Sequence, residues 1–262
     1  MHYFITTFFN YCNYQIKELL AQDFMDKYGH IVHLLECVYN NDEPVINHDN
    51  KTIYRTHRHA YFIDYIMINQ FIKNHNDIET LTLIDSDLEL PDNFFTNVIY
   101  KHSEYLNVPV AIQCYSNARQ LNAPHDVMQI YPSIIKNNIE KINSQGHSGY
   151  VWSFNRHFLQ LLQNCMFPEC FSIGGFDYIL AMALLKRIRV LLTLVDNQQF
   201  TNKLIDFYYS IQTAHYDYLD TNIAHYWHGF PGRRYHGMWK LYESINQDVI
   251  DDYFHSRQEN AT

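Results

Sequence analysis

The run Leu81-Thr82-Leu83-Ile84-Asp85-Ser86-Asp87 decides how the rest of the chain is read. Its apolar, β-favouring start predicts a short buried strand over 80–84. Charged groups cannot continue such a strand, so Asp85 and Asp87 mark its carboxyl end, the end at which open α/β sheets bind ligands. Two carboxylates one residue apart suit a hard divalent cation, manganese or magnesium, held through oxygen. A cation there neutralises a diphosphate and stabilises it as a leaving group. Spacing alone does not separate this from a solvated acidic turn that caps the next helix, because aspartate is common here and one such pair is expected by chance.

Outward from that turn, strands and helices alternate. An apolar β-rich run over 3–8 predicts a first strand. Ile16, Leu19, Leu20, Phe24 and Tyr28 share one face at helical spacing, and Gly29 suits the stop. A second strand is expected over 31–39, a loop over the Asn- and Asp-rich 40–50, and a helix over 60–72. Pro91 and Asp92 open another helix. Further strands are expected over 108–115, 146–154 and 223–227, with helices over 176–187, 201–215 and 238–254. This order predicts an α/β protein with a mostly parallel, doubly wound central sheet flanked by helices.

At 262 residues, with 47% hydrophobic content, the chain fits one large α/β domain with a sizeable core. Its net charge of −9 excludes a fold-wide basic footprint for nucleic acid. An anionic ligand therefore needs a local positive site or a bound cation. Five cysteines with no zinc-type spacing fit reduced thiols in a cytoplasm. The opening residues lack a basic n-region, so no signal peptide is expected, and no apolar run approaches membrane-spanning length.

Several segments, in order, resemble the nucleotide-sugar glycosyltransferases of the GT-A fold, in particular a bacterial and viral branch of it. Thr6-Thr7-Phe8-Phe9-Asn10 resembles the first-strand loop that meets the nucleotide. Leu35-Glu36-Cys37 resembles the end of the second strand, where an acidic residue contacts the nucleoside. Ile84-Asp85-Ser86-Asp87 resembles the metal-binding Asp-x-Asp, and Gln113-Cys114-Tyr115-Ser116 the strand after it. Gly149-Tyr150-Val151-Trp152 resembles the Gly-x-x-Trp segment before the acceptor site. Gly174-Gly175-Phe176-Asp177 resembles the Gly-Gly-x-Asp turn that opens a helix. His225-Tyr226-Trp227-His228-Gly229, with Arg233, Arg234 and Tyr235, resembles the late loop that closes over metal and diphosphate.

The likeness implies a single GT-A domain, with a Rossmann-like nucleotide and metal half over about 1–115 and an acceptor half with its closing loop over about 116–255. It implies transfer of a sugar from a nucleoside-diphosphate donor, UDP-sugar before GDP-sugar, to a hydroxyl of a glycan or other acceptor. It also implies a manganese or magnesium cofactor and a bacterial or virus-infected cytoplasm, since no membrane anchor is expected. Thr6, Phe8, Asn10, Glu36, Arg55, Asp85, Arg233, Arg234 and Tyr235 become the donor-contact candidates; Asp85, Asp87, His225 and His228 the metal candidates; Tyr150, Trp152 and Gly175 the acceptor candidates. The chain departs from the pattern at Phe176-Asp177, where a Glu-Asp pair is usual, and around 55–65, where the basic cluster is missing.

Residue chemistry gives each candidate two readings. Asp177 is either a general base for the acceptor hydroxyl or the N-cap of the apolar helix that follows it. His225 and His228 fall on opposite faces if the segment is a strand, so one ligand is expected from the two. Arg233 and Arg234, beside glycines, offer planar forks for phosphate oxygens or a solvated basic loop. Tyr150 and Trp152 either stack on a sugar or pack in the core. Two other functions share the acidic turn. One is a non-catalytic carbohydrate- or nucleotide-binding relative. The other is an Asp-x-Asp phosphatase, disfavoured because Glu89 stands where such enzymes have Thr or Val and because the motif comes a third of the way along the chain.

Overall fold

The computed structural model describes residues 1–10, 15–39, 42–56, 64–122, 126–141, 146–168, 175–193 and 198–226. Two sheets organise it. The larger takes β1 (His2–Phe9), β2 (Val32–Tyr39), β3 (Lys51–Thr56), β4 (Thr80–Ile84), β6 (Val110–Gln113), β9 (Val151–Asn155) and β10 (His215–Tyr218), in the order β10-β6-β9-β4-β1-β2-β3. All are parallel except β9, which runs antiparallel to β4 and β6. The carboxyl ends of β1, β4 and β6 therefore share one edge with the start of β9. The smaller sheet has the order β5-β11-β7-β8, from β5 (Leu88–Glu89), β7 (Asn117–Leu121), β8 (Val127–Pro132) and β11 (Asn222–His225).

Residue alternation along the central strands supplies two cores. On β1, Phe4 and Phe8 face one side and Ile5 the other; on β2, Leu34 and Leu35 divide likewise. The first side is covered by α1 (Gln15–Tyr28), through Phe24 and Met25, and by α3 (Phe94–Ser103), through Phe94 and Val98. The second is covered by α2 (Asp64–Asn74), α6 (Phe176–Leu184) and α8 (Gln198–Ile211), whose Met67, Leu180 and Phe207 pack together with Ile5 and Leu81. Shorter helices, α4 (Ile134–Ile139), α5 (Arg156–Leu159) and α7 (Ile188–Leu192), fill the connections. No described helix is long and apolar enough to cross a membrane.

The expected central strands and main helices are present over the described residues, with three differences. The segment after the 40–50 loop is an edge strand, β3. The 201–215 helix ends at Ile211, and His215 opens β10. The second sheet is an addition: β5, β7 and β8 were not expected. The expected 238–254 helix lies outside the described residues.

Candidate active site

The acidic turn sits where the sequence places it, directly after β4 at the carboxyl edge of the larger sheet. The N–H of Asp85 donates to the carbonyl of Tyr150 (3.0 Å), which ties the turn to the start of β9. Asp85 is exposed and Asp87 half-buried. A small cleft opens beside them, lined by Thr7 and Phe9 at the end of β1, Lys17 and Leu20 of α1, and Ser86 and Asp87.

His225 reaches this turn through β-pairing. β11 runs antiparallel to β5, so His225 lies opposite Leu88, and the N–H of Tyr226 donates to the carbonyl of Asp87 (2.9 Å). The result is His225 Nε2 at 3.4 Å from Asp87 Oδ2, with both side chains largely buried. Metal–ligand bonds of about 2.1 Å, meeting at roughly 90–110°, separate two ligating atoms by about 3.0–3.4 Å. The observed separation fits two ligands of one cation. No cluster of three or more His, Cys, Asp or Glu among the described residues forms a complete metal shell. His228, the other histidine candidate, lies outside them, as do Arg233, Arg234 and Tyr235.

Rings continue inward from His225. Tyr150 packs against it at 4.8 Å, and His147 stacks on Tyr150 at 4.0 Å with the planes 9° apart. Burial, helped by the charge of His225, pushes the His147 imidazole down to about 4, so it is neutral at physiological pH. Its Nδ1 accepts the N–H of Gly149 (3.1 Å). Tyr150 holds φ 81°, a left-handed conformation unusual for a bulky residue.

Asp177 stands in the first turn of α6, but it is not the cap. Gly175 occupies the N-cap position at φ 72° with no side-chain cap bond. The capping role weighed for Asp177 thus falls to backbone geometry that glycine adopts without strain. The carboxylate instead faces Gly149: a Cβ placed there would lie 3.2 Å from Asp177 Oδ2 and 3.1 Å from His147 Cε1. Asp177 and Asp85 act on one group. The Tyr115 hydroxyl is held well above its ordinary range, first by burial, then by the fields of Tyr150, Asp177 and Asp85.

Other candidates take different places. Glu36 is 1% exposed; its Oε1 accepts the N–H groups of Val45 (2.6 Å) and Ile46 (3.1 Å), and its Oε2 pairs with Lys51 at 2.9 Å. This carboxylate, the expected nucleoside contact, pins the 42–50 segment to the sheet. Arg55 points from the outer strand β3 and donates to the Asp42 carbonyl (2.9 Å). Phe8 is a core residue that also borders the cleft. Thr6 is buried in the sheet beside Ile84. Asn10 follows β1 and donates to Glu18 (2.7 Å). Trp152 is 2% exposed and gives its indole N–H to Ser148 (2.7 Å), and Tyr150 is 6% exposed. Neither ring presents a face on which an acceptor sugar stacks, because both are packed inside. Sequence reasoning missed Lys17, Gln120 and His147. Only the position of His147, two residues before Gly149, offered a hint.

A solved structure shares this architecture. The chain aligns with GalNAc-T7, solved with UDP, GalNAc and Mn2+, at a TM-score of 0.52 and 10% identity, over 87% of this chain and 43% of that one. The fold is GT-A. Within the GT-A frame, the Asp85–Asp87 turn closes the central strand and His225 arrives from the second sheet. This chain spans less than half the length of GalNAc-T7. Two weaker likenesses are to S. aureus TarS 1-349 (TM-score 0.41, 14% identity, 69% of this chain and 54% of that) and to a glycosyltransferase involved in glycosylation of the major capsid of PBCV-1 (0.34, 13%, 90% and 98%). No family model matches the chain, and no curated protein matches it in sequence.

Proposed function

We propose that the protein is a glycosyltransferase that moves a sugar from a nucleoside diphosphate, UDP before GDP, to an acceptor hydroxyl, with manganese or magnesium as cofactor. The carrying observation is the meeting of Asp87 and His225 at the carboxyl edge of a GT-A sheet, beside a cleft that Lys17 also lines. Asp87 and His225 would hold the cation, with Asp85 or His228 adding to the shell. A divalent cation there supplies the charge that lets a diphosphate leave.

The chain's own groups do the remaining work. Lys17, which lines the cleft with its ammonium over the Phe9 ring, would serve a phosphate oxygen, and Arg233 and Arg234 are the proposed clamp from the late loop. Asp177 accepts the proton of the acceptor hydroxyl, whose oxygen bonds to the anomeric carbon. The bond from that carbon to the diphosphate oxygen breaks, and its electron pair leaves with the nucleoside diphosphate. Direct attack of this kind inverts the anomeric centre. The fold and the cysteine usage fit the proposed single domain and cytoplasmic setting.

The test is a panel of UDP- and GDP-sugars with and without manganese, read for nucleoside diphosphate release and for thermal stabilisation. Metal-dependent release with one donor is expected. Stabilisation without any release would assign the chain to a non-catalytic binder. Phosphate release from a simple phosphoester, with no nucleotide requirement, would replace the glycosyltransferase by a phosphatase.

A further inference from the structure

His225 belongs to a strand between two others, and its neighbours fix more than its position. β7 runs parallel to β11 with Gln120 in register with His225. The imidazole Nδ1 lies 3.0 Å from Gln120 Oε1, while Nε2 lies 3.4 Å from Asp87 Oδ2. The Tyr150 hydroxyl donates to the same Gln120 oxygen at 3.4 Å. Both ring nitrogens thus face acceptors. A proton on Nδ1 satisfies the amide oxygen, and the lone pair left on Nε2 then faces a carboxylate. A proton on Nε2 would join this pair as an ion pair; where the proposed cation takes that place, Nε2 must offer its lone pair and Nδ1 must carry the proton.

From this we infer that Gln120 is a positioning residue for the metal site: its amide oxygen fixes the Nδ1–H form of His225 and so directs the Nε2 lone pair to the cation beside Asp87. The inference rests on the proposed metal-dependent reading of the same site. Gln120 does not touch the cation. It acts through the tautomer and orientation of the ring, as outer-shell acceptors do for metal-bound histidines, where their loss costs about 10–100-fold in metal affinity. Tyr150, packed on the ring face and bonded to the same oxygen, keeps Gln120 in place.

The experiment uses the full chain with UDP and Mn2+. Mn2+ affinity is measured by calorimetry, and direct imidazole coordination by electron spin echo modulation from the ring nitrogen. Wild type is expected to bind Mn2+ and to show nitrogen modulation. Gln120→Met, near in size but without an acceptor, should lose about ten- to a hundredfold in affinity together with the modulation. Gln120→Glu, which keeps an acceptor oxygen, should restore both. If the amide instead donated its N–H to Nδ1, Gln120→Glu would fail to restore them, and the inference would be overturned. Wild-type affinity and modulation in Gln120→Met would overturn it while leaving the proposed function intact. No Mn2+ binding by wild type would overturn both. Should Gln120→Met not fold, Gln120→Leu serves in its place, and unfolding curves for each variant confirm that a native protein is compared.

Discussion

Lowering the pH from 7 to 4 should cost this protein about 3 kcal/mol through one buried histidine. His102, on α3, is 5% exposed. Its Nε2 meets Ser153 Oγ at 2.6 Å, and that hydroxyl meets Thr82 Oγ1 at 2.8 Å. Its Nδ1 is buried and has no hydrogen-bond partner among the described residues. Protonation would put a charge and an unsatisfied N–H into the core, so burial, and secondarily the charge of His2, pushes the group down to about 4 from its ordinary 6.5. The sign follows from proton counting. Above about 6.5 the ring is neutral in both states. Between about 6.5 and about 4 only the unfolded chain takes up the proton, so stability falls as pH falls and levels off below. Moving the group from 6.5 to about 4, at about 1.4 kcal/mol per pH interval of one, amounts to roughly 3.5 kcal/mol, of which about 3 kcal/mol is lost by pH 4, where the folded ring is half protonated. Urea unfolding followed by circular dichroism at pH 7, 5.5 and 4 would measure it in wild type and in His102→Gln, which keeps a polar partner for Ser153 but does not titrate. Carboxylates titrate alike in both proteins, so the difference in pH dependence isolates His102. Parallel stability curves for the two would refute the reasoning.

Three further outcomes are expected at the site. Asp85→Asn and Asp87→Asn should lose Mn2+-dependent binding of nucleoside diphosphate while unfolding at the wild-type urea midpoint within error, since Asp85 is exposed and both lie at a strand end; excess chelator should abolish turnover, and full activity in chelator would contradict the metal role. Asp177→Asn should retain donor binding and lose about a hundredfold to ten-thousandfold in the chemical step; a wild-type rate, or a retained anomeric configuration by NMR, would remove Asp177 as the base. Gly149→Ala should displace the His147 ring and the Asp177 carboxylate by a few tenths of an ångström, because the new Cβ would stand 3.1 Å from His147 Cε1 and 3.2 Å from Asp177 Oδ2. We expect a fall in kcat of about tenfold with donor affinity unchanged, misplacements near 1 Å costing about a hundredfold; unaltered kcat would show that this contact does not position the carboxylate.

What the sequence disclosed follows from where burial and charge change abruptly. β4 was legible because four of its five residues are buried and the strand ends on Asp85. α6 was legible because Phe176 through Leu184 is almost wholly apolar. β3 and β8 were not, since neither carries a fully buried residue: β3 pairs through Lys51, Tyr54 and Arg55 at a sheet margin, and Val127 to Ile130 of β8 are all exposed. Pairing there is a backbone property without a side-chain signature. β5, two residues long, is invisible to any periodicity, yet it brings His225 to Asp87. The site was therefore half legible. Its acidic turn could be read from local pattern, whereas the His225 contact was expected only through resemblance. Glu36 was read at a strand end, yet it lies inside β2 and binds its own loop, a contact that no local pattern signals.

Tyr150 shows how the two sides of the site are held to one another. A non-glycine residue at positive φ costs about 1–3 kcal/mol and persists only where its surroundings over-determine it. Those surroundings are specific here. The Tyr150 carbonyl takes the N–H of Asp85, so its backbone sets the turn that carries the acidic pair. Its ring packs on both His147 and His225, and its hydroxyl meets the Gln120 oxygen that also faces His225. Its neighbour Gly149 leaves the room into which Asp177 reaches. A relaxed φ would swing the carbonyl away from Asp85 or the ring away from His225, because both are fixed to the same α-carbon. The strained residue therefore couples the position of the acidic turn to that of the histidine. The contacts to Asp85, His225 and Gln120 thus all depend on one backbone conformation.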